Sequence, residues 1–109
     1  MRNKANRDET ISLEKSINQI AEKYFLAISR RDEAGMIHDV EEGLSDYERF
    51  VLKVRRAFDK LSQTEKLFIN NDFFYQDYPY WWLGKYSKSS YHKIRMRSML
   101  AFKEAFENE

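Results

Sequence analysis

A chain of 109 residues, 42% hydrophobic and 16% aromatic, is enough for one small domain with a modest core and too short for a second. It has no cysteine, which excludes a disulfide framework and a thiolate zinc site and leads us to expect an intracellular, cytoplasmic protein. The formal net charge of +1 argues against a protein that coats polyanions by charge alone, and no stretch approaches the roughly 18 apolar residues of a membrane span. The opening MRNKANRDET also lacks the apolar segment of a signal peptide. Three glycines and one proline leave long uninterrupted segments, and apolar-polar alternation over a strand's length is scarce. The expected fold is all-α, a small helical domain of four to five helices with a C-terminal helix-turn-helix.

The first ten residues are polar and are expected to fray. From about Thr10 to Ser29, the residues Leu13, Ile17, Ile20, Ala21, Tyr24 and Ile28 recur at helical spacing and predict the first helix. The stretch from Arg30 to Gly43 is acidic and less periodic; Met36, Ile37 and Val40 fit either a short helix ended by Gly43 or a continuation of the first. Residues 1–43 therefore read as an N-terminal helical extension.

Ser45-Asp46-Tyr47-Glu48 is a capping box: the serine oxygen accepts an amide of the first turn while the glutamate reaches back to the cap. It opens a helix whose apolar stripe is Tyr47, Phe50, Val51, Val54 and Phe58, with Arg49, Lys53, Arg55, Arg56 and Lys60 largely off it. Leu61 closes it. A second box, Ser62-Gln63-Thr64-Glu65, starts the next helix through Leu67, Phe68 and Ile69 to about Phe74, so the two helices meet at a tight corner.

The densest aromatic run follows, Phe73 to Trp82. Pro79, which lacks an amide hydrogen and is tolerated in a first turn, predicts a short helix ended by Gly84. The last helix begins at Ser87 or Ser90, either of which can cap it. Its stripe is Tyr91, Ile94, Ser98, Phe102 and Phe106, and at about 100° per residue the opposite face carries Ser89, His92, Lys93, Met96 and Arg97. Met99 and Leu100 lie off the stripe and need cover from the N-terminal helices or a second subunit. No acid occurs from Pro79 to Lys103, a stretch holding Lys85, Lys88, Lys93, Arg95, Arg97 and Lys103. A short helix, a turn and a longer basic helix is the helix-turn-helix order, and the charge suits phosphate contact.

SDYERFVLKVRRAFDKLSQTEKLFI followed by WWLGKYSKSSYHKIRMRSMLAFKEAF, over residues 45–107, resembles the region-4-like helix-turn-helix of sigma factors, closest to the phage and bacterial ArpU or RinA-type transcriptional regulators. The core of the likeness is Tyr86-Ser87-Lys88-Ser89-Ser90-Tyr91, then Lys93-Ile94, Ser98 and Phe102. The resemblance implies a transcriptional regulator with Ser87, Lys88, Ser89, Ser90, His92 and Lys93 toward DNA; Arg95 and Arg97 join them as cations of the same basic stretch. The chain departs from the pattern where Tyr80, Trp81 and Trp82 stand in place of a small residue, and where Gly84 comes one residue before the usual turn glycine.

Each signal has a plainer counterpart. A basic stripe is also what any solvated face looks like, and the aromatic run can be core, a platform for unpaired bases or a surface for a protein partner. His38 and His92 are the only histidines, no glycine-rich phosphate loop is present and no nucleophile sits in a recognisable motif, so neither an enzyme nor a cofactor is expected. The leading expectation is duplex-DNA binding through a recognition helix at about 87–106. The alternative is a protein-interaction module, with a homodimer or RNA polymerase as candidate partners.

Overall fold

Helix formation follows the caps. The computed structural model describes residues 2–34 and 45–109, with four α-helices and no strand among them: α1 (Arg2–Ala34), α2 (Asp46–Asp59), α3 (Gln63–Ile69) and α4 (Lys88–Glu107). Both capping boxes form. The Ser45 hydroxyl accepts the Glu48 amide at 3.2 Å, and the Ser62 hydroxyl accepts that of Glu65 at 3.2 Å while the Glu65 carboxylate takes the Ser62 amide at 2.9 Å. Each box fixes where its helix starts, and the three residues between Asp59 and Gln63, Lys60-Leu61-Ser62, make the corner between α2 and α3.

α1 is longer than its apolar period suggested. Helix already runs through residues 2–10, where fraying was expected, and the 33 residues span about 50 Å, the long axis of a molecule 52 × 30 × 20 Å in extent. The short helix considered around Met36 to Gly43 lies outside the described residues.

α1 crosses α2 and α4 and shares one core with them. Ile17, Ile20, Tyr24 and Ala27 from α1 meet Val51, Val54 and Ala57 from α2, Leu61 at the corner, Ile69 and Phe73, and Met99 and Phe102 from α4. A core of this size rests on its largest side chains. Phe102, with no exposed surface, packs edge-on to Phe74 at 5.9 Å and stacks on Phe106 at 6.3 Å. Emptying such a site costs about 3–5 kcal/mol. Met99, off the stripe and in need of cover, is buried in the core that α4 shares with α1. Met96, expected on the open face, is half-buried against α1, where the Thr10 hydroxyl donates to its sulfur at 3.7 Å. Leu100 remains exposed.

α3 does not end in an ordinary turn. Asn70–Phe74 form one π-helical turn, closed by the Tyr75 amide donating to the Asn70 carbonyl at 2.7 Å. The extra residue in this turn swings Phe73 into the core and brings Asp72 toward α4.

The segment between Pro79 and Lys85 is not the helix its proline suggested. It is a run of turns in which Trp81 N–H donates to Tyr78 C=O, Leu83 N–H to Tyr80 C=O and Lys85 N–H to Trp82 C=O, each at 3.1 Å. Side chains decide this. One helical turn would spread four adjacent bulky residues around its axis, whereas the turns send Trp81 and Trp82 inward and leave Tyr80 and Leu83 outside. Gly84, at φ +85°, occupies the left-handed position that a type II turn requires at its third residue.

Candidate nucleic-acid interface

Ser87, rather than Ser90, caps α4. Its hydroxyl accepts the Ser90 amide at 3.1 Å and its carbonyl accepts that of Tyr91 at 2.8 Å. No acid follows in the first turn, so α4's own sequence sets no carboxylate against the positive end of the helix. Lys85, Lys88, Ser89, Ser90, His92 and Lys93 are all exposed, and Arg97 follows one turn after Lys93 on the same open side. Arg97, with 61% of its side chain exposed, approaches Glu65 of α3 only to 3.9 Å. A pair so open and so long holds the guanidinium loosely. His92 lies edge-on to Tyr91, with ring centroids 5.1 Å apart.

Arg95 does not belong to that face. It stands four residues after Tyr91 and three before Ser98, within the inward stripe, and only 17% of its side chain is exposed. Its Nε donates to Asp72 Oδ2 at 2.8 Å, its Nη1 donates to Glu14 Oε2 of α1 at 2.5 Å, and its guanidinium lies 4.9 Å from the Phe73 ring centre. Burial opposes the charge; hydrogen bonding to and attraction from Glu14, with Tyr91 and Asp72 adding to it, outweigh that and raise the pKa of Arg95. Arg95 is a structural cation.

Asp72 is the residue that sequence reasoning missed. Its side chain is 8% exposed and accepts three bonds: Trp81 Nε1 at 2.8 Å on Oδ1, and Tyr91 Oη at 2.5 Å and Arg95 Nε at 2.8 Å on Oδ2. One carboxylate thus ties the π turn, the aromatic turns and α4 together, and through Arg95 it reaches α1. The Tyr91 ring completes the joint. It stacks under Trp82 at 4.2 Å and 15° and packs against Phe68 at 5.7 Å, while Phe68 also meets Trp81 at 4.9 Å and Tyr86 at 5.3 Å. Burial, the bond to Asp72 and its negative charge push the Tyr91 hydroxyl well above the ordinary phenol range.

The site is therefore an exposed polar and cationic face on a rigidly seated helix start. Ser87, Lys88, Ser89, Ser90, His92, Lys93 and Arg97 lie on it, while Tyr91 between them is buried and the Ser87 hydroxyl is spent on the cap. Among the described residues, no group of three or more histidine, aspartate or glutamate side chains could hold a metal ion, and no helix is long and apolar enough to cross a membrane. The chain has no match among protein-family models, curated proteins or solved structures.

Proposed function

We propose that this chain is a small DNA-binding transcriptional regulator that lays the amino-terminal half of α4 against duplex DNA. The observation that carries the reading is the exposure of Lys85, Lys88, Lys93 and Arg97 around a serine-capped helix start with no acid in its first turn, Lys93 and Arg97 lying on the side of α4 opposite its buried stripe. Lys88 and Arg97 serve as phosphate contacts, which give affinity without sequence preference. Ser89, Ser90, His92 and Lys93 are the groups directed at base edges, Lys93 being suited to guanine O6 and N7. The resemblance of residues 45–107 to sigma-region-4-like regulators supports the same assignment, with a chain of turns where that motif has its first helix. No cofactor takes part.

The test is charge reversal on the open side of α4. Lys93→Glu, alone and with Lys88→Glu, should weaken duplex binding at least tenfold while the melting curve stays unchanged. Wild-type affinity in a folded double variant would remove this face from the account.

The second reading, a protein-interaction module, draws on Ile11 and Leu26, which stand exposed on α1 at 52% and 54%. Side chains of this kind suit a second copy of the chain or a surface of RNA polymerase. Sedimentation across a concentration range separates the two, because a strict monomer that binds DNA needs no such seam.

A further inference from the structure

The turns before α4 have an outer as well as an inner side. Trp81, Trp82 and Tyr86 are held inward by ring packing and by the bond to Asp72. Tyr78 and Tyr80 point the other way, 74% and 70% exposed, and Leu83 and Lys85 are exposed beside them. Burial within the domain does not explain two rings so open. Their backbone is nevertheless fixed, because the Tyr78 and Tyr80 carbonyls each close a turn and Pro79 between them locks its own φ.

We infer that Tyr78 and Tyr80 form a stacking platform for unpaired bases, so that the preferred ligand is a duplex with a locally opened stretch rather than a fully paired one. This rests on the duplex-binding role proposed for α4 and adds to it. Charge selects the occupant. The core of a protein interface is depleted of lysine, whereas aromatic rings flanked by cations are the combination that holds single-stranded nucleic acid, the rings taking base faces and the cations the backbone. Lys85 and Lys88 follow five and eight residues after Tyr80, and after Asp77 the next acid in the chain is Glu104. The paired bases of an intact duplex are stacked on each other and leave no face for the rings; bases released from pairing do. Trp82, two residues after Tyr80, is stacked on Tyr91, which ties these turns to the start of α4.

The test compares wild-type protein with Tyr78→Ala/Tyr80→Ala and Tyr78→Phe/Tyr80→Phe. Anisotropy is read on a fully paired duplex and on the same duplex carrying a short internal mismatch bubble. The wild type and the phenylalanine variant should prefer the bubble by about tenfold per stacked ring. The alanine variant should lose that preference, keep its affinity for paired duplex and melt as the wild type does. Paired-duplex binding without any bubble preference would overturn the platform and leave the α4 reading intact. Absence of binding to either probe would overturn both. Loss of self-association in the alanine variant with the bubble preference retained would assign the rings to a protein interface and overturn the inference.

Discussion

Replacing Asp72 by asparagine keeps the shape of the side chain and removes its charge. The Asn carbonyl oxygen can still accept the Trp81 indole N–H, now at 2.8 Å, but the amide NH₂ would face Arg95 Nε, a donor against a donor, and can no longer accept the Tyr91 hydroxyl. Two bonds to a charged acceptor are lost, each worth about 1.5–3 kcal/mol. Glu14 still neutralises Arg95, which keeps the penalty below that of a stranded buried charge. The expected cost is about 3 kcal/mol, a large part of the roughly 5–15 kcal/mol of a domain this size, and a drop in Tm of about 10–20 °C. Thermal and urea denaturation followed by far-UV circular dichroism measure it. Tryptophan fluorescence localises it, since the only two tryptophans, Trp81 and Trp82, lie in the turns that Asp72 holds. The exposed neighbour Asp77, changed to asparagine, should move stability by less than about 0.5 kcal/mol. A D72N protein within about 1 kcal/mol of wild type and with unshifted fluorescence would refute the claim that this carboxylate holds the turns to α4.

Three further outcomes are expected. Gly84→Ala places a Cβ in open space but at φ +85°, so it should cost about 1–2 kcal/mol through backbone strain alone, seen as a lower urea midpoint with an unchanged m-value. Ser62→Ala removes the oxygen that accepts the Glu65 amide and should cost about 1 kcal/mol by the same measurement. Tyr91 gives an alkaline dependence. Its folded pKa lies above the ordinary phenol value of 10.0, so the stability it contributes is complete below that value and is lost as pH rises toward the folded one, because the unfolded chain releases the proton first. Stability measured from neutrality to about pH 11 should fall more steeply for wild type than for Tyr91→Phe. Parallel slopes would contradict it.

The helices were legible in the sequence where their causes are local. A capping box spans four residues, and both boxes formed; the stripes of α2 and α4 place Val51, Val54, Tyr91, Ser98 and Phe102 inside, as their spacing indicates. Arg95 was legible too. Its position within the α4 stripe signalled burial, and counting it among the cations of the open face ignored that phase. Asp72 was not legible, because its three partners lie 9, 19 and 23 residues onward and meet it only once the chain has turned back. The aromatic run could not be divided by eye into inner and outer rings, since a chain of turns has no fixed period. Met96 looked exposed by phase and is half-buried because α1, from far away in sequence, lies over it.

The central claim concerns the open side of α4, and the salt dependence of binding to random-sequence duplex DNA tests it most directly. For wild type, log affinity should fall linearly with log salt, with a slope of about −0.9 for each phosphate neutralised, and the Lys88→Glu/Lys93→Glu protein should bind more weakly with a slope shallower by about one to two units. No duplex binding by wild type at low salt, or the same slope in both proteins, would contradict the account.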